Sequence, residues 1–410
     1  MFCGESDDEP VLIPVANTGG PSAFALSPEA IARHCKDIVR NLYKKPPNAP
    51  HYSPEQLKHL YDSMHQMKVY RHNKESTTEI PHPFMTFYEA FPDNAAILEA
   101  LKKQRFTKPT PIQSQLWPTL LKGNDCIGIS PTGSGKTLGF LLPAFLHIDA
   151  QLRLYQHSEK KPCPFVLILT PTRELAQQIT IETEKYSYNG YRSVCVYGGA
   201  DRYEQINACR RGVEIVVATP GRLVDLADEG CISLATVSYL VLDEADRMLD
   251  IGFELSIRRI LCEIRPDRMV TMTSATWPEN VRKLVEKYTK DAVMIVVGSL
   301  NLTVCPSVKQ YFEFWDDAEK KFDRLLEIAR FLRDRYGNRF IMIVFVKSKA
   351  MADFIAVELC LELRISTETM HGGMSQLARD NAFERVRAGE VRILVATDVV
   401  GRGIDIPDVT

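Results

Sequence analysis

One stretch constrains this chain more than any other: Asp125-Cys-Ile-Gly-Ile-Ser-Pro-Thr-Gly-Ser-Gly-Lys-Thr-Leu-Gly-Phe140. Its first part is apolar and β-prone and ends at Ser130. Pro131, Thr132, Gly133, Ser134 and Gly135 follow, then Lys136, Thr137 and a run of good helix formers. A strand that turns through glycines into a helix presents a row of backbone N–H groups at the helix N-terminus, which is a built-in anion site. Lys136 adds a point charge for β- and γ-phosphates, and the Thr137 hydroxyl can ligate Mg²⁺. The generic phosphate-loop pattern wants Gly where this chain has Ser130, and a bare Gly-Lys-Thr is weak evidence. The strand before it and the helix after it make nucleotide binding the favoured reading.

Bulk properties narrow the class without choosing the chemistry. The chain has 410 residues, 45% hydrophobic and 25% charged, with a formal net charge of −2, so two or three soluble domains are expected. There is no basic excess, so any nucleic acid must be held in a local groove rather than by bulk charge. Ten cysteines (Cys3, Cys35, Cys126, Cys163, Cys195, Cys209, Cys231, Cys262, Cys305, Cys360) form no CxxC pair, which points to buried thiols in a reducing compartment. The acidic N-terminus is no secretory signal, and no apolar run reaches membrane-spanning length. The chain reads as a soluble intracellular protein, with nucleus and cytoplasm both open.

Residues 1 to about 25 read as disordered, followed by two short helices opening at Ser27-Pro28-Glu29 and at the capping box Ser53-Pro54-Glu55-Gln56. Tyr43, Leu57, Leu60, Tyr61 and Met64 suggest that these pack on the domain that follows. His34, His51, His59 and His65 have no carboxylate or Cys partners at ligand spacing, so solvated helix surface outweighs a metal site. From Ile80 to Gly298, β-branched runs alternate with helical ones: Cys126–Ser130, Phe165–Leu169, Ser193–Tyr197, Glu214–Ala218, Tyr239–Leu242 and Met269–Thr273. That is the α/β pattern of a doubly wound parallel sheet. Gly298–Phe322 reads as a linker plus entry strand. A second series, Phe340–Val346, Ser366–His371 and Val391–Ala396, stops at Thr410 as an incomplete second sheet.

A second nucleotide signal is the strand end Val241-Leu-Asp243-Glu244-Ala245-Asp246. Two acids after an apolar strand arrive at the carboxyl edge of the sheet, where ligands of such folds bind. Asp243 suits Mg²⁺, partly through water, and Glu244 suits orienting and deprotonating an attacking water. A solvated acidic loop would explain these acids taken alone, but not in company with the phosphate loop.

With Asp-Glu-Ala-Asp on the page, the chain resembles the DEAD-box RNA helicases, and the family's other motifs occur in family order. Phe87 and Arg105-Phe-Thr-Lys-Pro109-Thr110-Pro111-Ile112-Gln113 resemble the Q motif. The resemblance implies ATP, with Gln113 on the adenine edge and Phe87 stacked on the ring. Arg105 stands where Gly is usual, a departure expected to matter little. Ser130 to Thr137 resembles the family's phosphate loop with Ser for Ala, and Ser274-Ala275-Thr276 resembles the motif that couples hydrolysis to strand separation, together with Asp246. Pro171, Thr172 and Arg173, Gly198 and Gly199, and Thr219, Pro220, Gly221 and Arg222 match segments that line an RNA backbone groove in the family. Plain turn chemistry would explain each glycine taken singly. In the second series, Val344-Phe345-Val346, His371-Gly372 with Gln376 and Arg379, and Ala396 to Asp405 resemble the later motifs. They imply RNA contacts from Arg379 and Thr397 and approach of Gly403 and Asp405 to the nucleotide. The wording of Lys185–Gly199 and Thr273–Pro278 is similar to HAGE-type members, although no KH-type pattern precedes the core.

The resemblance implies two tandem RecA-like doubly wound parallel-sheet domains, the second incomplete. The expected divisions are an N-terminal extension (1–79), a Q-motif region (80–114), a first RecA-like domain (115–298), a linker (299–322) and a partial second domain (323–410). It implies a monomeric ATP-dependent RNA helicase that needs ATP and Mg²⁺, clamps RNA through its backbone and distorts a duplex locally. The arginine-finger motif of the family would begin beyond Thr410, so the chain reads as C-terminally truncated. The alternative reading is therefore a scaffold that binds ATP and RNA without hydrolysis.

Overall fold

The computed structural model describes residues 36–46, 52–73, 75–155, 164–298, 308–397, 406 and 409. The chain divides into two compact units, residues 1–198 with 202–305, and residues 199–201 with 306–410. The helix expected at Ser27 lies outside the described residues.

The first unit opens with helix α1 (Pro54–Ser63), strand β1 (Lys68–Arg71) and helices α2 (Phe87–Ala90), α3 (Ala95–Lys103) and α4 (Pro111–Leu121). Strand and helix then alternate: β2 (Cys126–Ile129), α5 (Lys136–Leu154), β3 (Val166–Leu169), α6 (Arg173–Tyr186), β4 (Ser193–Val196), α7 (Arg202–Arg210), β5 (Ile215–Ala218), α8 (Pro220–Asp228) and β6 (Tyr239–Leu242). It closes with α9 (Ala245–Asp250), α10 (Glu254–Glu263), β7 (Met269–Ser274), α11 (Glu279–Tyr288) and β8 (Val293–Val296). The eight strands lie in the order β1-β8-β2-β7-β6-β3-β5-β4, parallel except for β1.

Period-two alternation sends successive side chains to opposite faces of this sheet. Val166, Ile168, Ile215, Val217, Tyr239 and Val241 face a core built with α4, α5 and α6. Leu167, Leu169, Val216, Leu240, Leu242 and Met272 face a second core built with α7, α8, α10 and α11. Each Leu, Ile or Phe fully buried in these layers contributes roughly 1.5–3 kcal/mol. The expected doubly wound class holds, with two additions. Strand β8 is the apolar run Val293–Val296, and β1 joins it antiparallel at the sheet edge, so the sheet is mixed and residues 68–71 are part of it.

The capping box at Ser53 forms as expected, and Tyr61 of α1 donates to Gln115 Oε1 at 3.1 Å. His59 and His65 are exposed, in line with solvated surface. Among the described residues no group of three or more His, Cys, Asp or Glu gathers as a metal site, and no helix is long and apolar enough to cross a membrane. Cys126, Cys209 and Cys231 are buried, whereas Cys262 and Cys360 are exposed, contrary to a wholly buried set.

The strap Lys36–Pro46 runs across the first unit. Val39 exchanges two hydrogen bonds with the Gln151 amide, at 3.1 and 2.9 Å. Arg40 Nη2 donates to the carbonyls of Asp267 and Arg268. Gly123, at φ +83°, lies against it so closely that a Cβ there would stand 2.8 Å from Arg40 Cβ.

Arg105 occupies the position after the C-cap of α3 at φ +61°. Its N–H bonds Lys102 O and the next N–H bonds Leu101 O, the Schellman pattern that favours Gly at this place. The departure therefore matters: an L-residue here carries a backbone cost that Gly would not.

The second unit contains α12 (Ala318–Tyr336), a 3₁₀ turn (Gly337–Arg339), β9 (Met342–Phe345), α13 (Lys349–Leu363), β10 (Thr367–Met370), α14 (Gln376–Arg387) and β11 (Ile393–Ala396). The described part of its sheet has three parallel strands, β10-β11-β9. The entry strand expected before Phe322 does not form among residues 308–317, which pair with no strand among the described residues; Tyr311, Phe312 and Phe314 stand exposed and α12 begins at Ala318.

Candidate nucleotide and nucleic-acid site

Because β2 to β7 run parallel, the loops after them all emerge at one edge of the sheet. The strand order then sorts them. β2, β7 and β6 are neighbours and carry Ser130–Thr137, Ser274–Thr276 and Asp243–Asp246; β3, β5 and β4 are neighbours and carry Pro171–Arg173, Thr219–Arg222 and Gly198. Residues of the expected nucleotide set thus occupy one half of the edge, and those of the expected RNA set in this unit occupy the other.

In the phosphate loop Gly133 and Gly135 take φ +74° and +90°, and Gly135 caps α5 in the left-handed region. The Lys136 ammonium folds back on the loop and donates to the carbonyls of Ser130 at 2.7 Å and Pro131 at 2.9 Å. Burial pushes its pKa down, opposed by the charges of Asp243, Glu244 and Asp246. The hydroxyls of Ser130 and Ser134 bond each other at 2.7 Å. Gln113 lies behind the loop. Its amide Nε2 donates to Gly135 O at 2.9 Å, and its Oε1 accepts from Thr110 N in the capping box that opens α4. A Cβ on Gly135 would stand 2.5 Å from that Nε2, so the loop and the Q-motif helix fit only with glycine here. An amide has two donor hydrogens and two acceptor lone pairs, so Gln113 keeps one of each for a ligand edge. Phe87, at the first turn of α2, packs 5.9 Å from Trp117, one helical turn along α4 from Gln113.

The acidic loop is wired to β7. Asp243 Oδ1 accepts from the Thr273 hydroxyl and from Glu244 N at 3.1 Å. Burial raises the pKa of Asp243, opposed by Thr273 and by the Lys136 charge. Glu244 takes φ +53°, a strained value for a residue with a Cβ. Asp246 Oδ2 accepts from the Thr276 hydroxyl at 2.6 Å and from Thr276 N at 3.2 Å, and Ser274 Oγ donates to Thr276 O at 2.8 Å. Ser274 reaches the acids only through Thr276. Thr110 and Thr273 fall inside segments quoted from the sequence but had no role assigned there, and the Gln113–Gly135 contact was not expected. Strand register is the only signal for Thr273, which lies one step beyond the Leu242–Met272 pair.

On the other half of the edge Thr172 caps α6, accepting from Leu175 N at 3.3 Å, so Pro171 and Arg173 flank a helix N-terminus. Arg173 Nη2 lies 3.6 Å from the place a Cβ on Gly198 would take, and Gly199 has φ +97°. Thr219 and Pro220 open α8, followed by Gly221 and Arg222. Arg222 Nη1 has no hydrogen-bond partner among the described residues. In the second unit Arg379 is buried on α14 and Thr397 follows β11. His371 accepts from Gly373 N at Nδ1 and pairs with Asp353 through Nε2, which places its proton on Nε2. Gly403 and Asp405 lie outside the described residues.

Comparison with known proteins supplies a family for this arrangement. Residues 110–284 match the DEAD/DEAH box helicase model, and residues 320–410 match the helicase conserved C-terminal domain. The chain is 47% identical over 331 residues to human probable ATP-dependent RNA helicase DDX43, covering 81% of this chain and 50% of that protein. It is 42% identical over 349 residues to DEAD-box ATP-dependent RNA helicase 20 of Arabidopsis thaliana, covering 84% of this chain and 67% of that one. The chain belongs to the DEAD-box helicase family. Among solved structures, the RNA helicase Prp28 from Chaetomium thermophilum bound to ADP is similar at 33% identity and TM-score 0.52, covering 90% of this chain and 84% of that chain. S. cerevisiae Dbp5 bound to RNA and ADP BeF3 is similar at 26% identity and TM-score 0.67, covering 79% of this chain and 78% of that chain. This DEAD-box chain spans about half the length of the human relative and 56% of DEAD-box helicase 30 of Arabidopsis thaliana.

Proposed function

We propose that this chain carries the ATPase and RNA-clamping machinery of an ATP-dependent RNA helicase, working as a monomer. The observation that carries the reading is the convergence, at one sheet edge, of a glycine-built anion loop ending in Lys136 with the wired acids Asp243, Glu244 and Asp246. ATP is the substrate: its phosphates lie against the N–H groups of residues 132–137 and the N-terminus of α5, and Lys136 leaves its two carbonyls to meet them. Gln113 offers its remaining donor and acceptor to the adenine edge, with Phe87 against the ring. Glu244 takes the proton of the attacking water.

The donors also suit Mg²⁺. Thr137 and Asp243 are hard oxygen ligands. A magnesium ion bound chiefly by nucleotide phosphates and water needs no three-carboxylate cage, and none gathers among the described residues. Mg²⁺ would supply charge neutralisation across the β- and γ-phosphate oxygens. Through Thr276 and Ser274, a change at Asp246 passes directly into the end of β7.

In the first unit RNA runs past Pro171–Arg173, Gly198 and Thr219–Arg222; Gly199, Arg379 and Thr397, in the second unit, are RNA-contacting residues in their own right. Hydroxyls, N–H groups and guanidinium groups bind phosphate and sugar, so recognition is independent of sequence. The test is ATP hydrolysis by the chain with and without single-stranded RNA. Lys136→Ala should abolish nucleotide binding, and Glu244→Gln should bind ATP but lose at least about 100-fold in turnover. Unchanged RNA-stimulated hydrolysis in both variants would overturn the reading. Binding of ATP and RNA with no turnover in the unsubstituted chain would favour a non-hydrolysing scaffold.

A further inference from the structure

Near the C-terminal end of β7 stands a hydroxyl to which the sequence reading assigns no role. Thr273 is fully buried on the face of β7 that looks toward α4. Its ladder neighbour on β2 is Gly128, which has no side chain, and on β6 the register carries it alongside Asp243. Strand propensity and packing alone would be served by Val, which has the same shape without the hydroxyl. A buried hydroxyl is costly unless it is bonded, and this one donates to the Asp243 carboxylate.

The geometry at Asp243 is one-sided. Thr273 Oγ1 and Glu244 N both donate to Oδ1, and Oδ2 receives no hydrogen bond among the described residues. A carboxylate held by two donors on one oxygen cannot rotate without breaking both bonds, so its second oxygen keeps one direction. We propose that Thr273 is a positioning residue for the proposed nucleotide site, locking Asp243 so that Oδ2 alone is presented to the nucleotide-borne Mg²⁺. This rests on the reading of Asp243 as a magnesium-facing acid. Groups that orient a metal-facing carboxylate are typically worth 10–100-fold in metal affinity.

The experiment uses the 410-residue chain and a fluorescent N-methylanthraniloyl-ADP probe, measured first without Mg²⁺ and then titrated with it. Thr273→Val should leave probe binding without Mg²⁺ unchanged and raise the half-saturating Mg²⁺ concentration about tenfold. Thr273→Ser, which keeps the donor, should restore the original midpoint. Thr273→Ala removes the same hydroxyl with a smaller side chain and should repeat the shift, which covers the case in which the valine variant does not fold. Thr271→Val, one pleat earlier on the same strand face, should leave the midpoint in place. The proposal is overturned if both hydroxyl-free variants at 273 keep the original Mg²⁺ dependence, or if Thr271→Val reproduces the shift. Failure of the unsubstituted chain to bind the probe at any Mg²⁺ concentration would remove the nucleotide-site reading itself, and this proposal with it.

Discussion

Two residues held in the left-handed region, Arg105 and Glu244, illustrate opposite uses of the same backbone strain. At Arg105 the strain follows from filling a Schellman position with a side chain, and nothing at the site requires that side chain. Arg105→Gly should therefore stabilise the first unit by about 0.5–1 kcal/mol, the left-handed cost relieved less the extra chain entropy of glycine. Urea unfolding measures this, and a neutral or lower midpoint would show that the arginine has contacts that outweigh the strain. At Glu244 the strain turns the carboxylate-bearing residue out of the strand line at the start of α9. Lys136, Asp243, Glu244, Asp246 and Thr276 were legible because each occupies a motif of fixed spacing. The contacts of Thr273 and Thr110 were not, because they arise from strand register and from the detail of a helix cap rather than from a motif's wording.

At the scale of elements, nine strands were readable as β-branched runs, each observed within a residue or two of its expected ends. Strands β1 and β8 were not among them: β8, Val293–Val296, is a short apolar run without a motif of its own, and β1, Lys-Val-Tyr-Arg, has only part of its edge surface covered and no apolar alternation to mark it. The strap and α5 carry a second consequence. His147 on α5 is fully buried, bonded to Ser238 Oγ at 2.8 Å and to the Gln151 amide, which also holds the strap. Burial, reinforced by the charges of Arg40 and Arg265, pushes its pKa down to about 3. The unfolded chain binds a proton at this histidine below about pH 6.5 while the folded chain does not, so the group's contribution to stability is present at neutral pH and is lost as pH falls through that window. Between pH 7 and 5 the loss should be on the order of 2 kcal/mol. His147→Gln should lower stability at pH 7 but flatten this acid slope, as read by urea unfolding at the two pH values. An unchanged slope would mean that His147 is protonated in the folded state.

At the scale of the whole chain, each unit has cores of its own. Calorimetry should accordingly resolve two transitions. ADP with Mg²⁺ at 100 times its dissociation constant should stabilise the unit containing the phosphate loop by about 2.7 kcal/mol, with the other transition unmoved. A single transition that shifts as a whole would show that the units unfold together. The α/β class and the strand-helix alternation of both units were legible because buried parallel strands read as apolar runs. The mixed edge of the first sheet was not, because its pairing joins residues more than two hundred positions apart.

The same sheet order sets a timetable. Strand β2, from which the phosphate loop springs, is made early, yet both of its neighbours, β7 and β8, are the last strands of the unit to be made. At about 5–20 residues per second, a ribosome that has finished Ile129 takes on the order of 8–30 s more to deliver Val296. Until β7 is made Cys126–Ile129 has neither of its ladder partners, and the turn at Gly133–Gly135 springs from an unpaired strand. Within the first unit, the glycine turn is translated well before the strands that flank its own and is among the last parts to take shape.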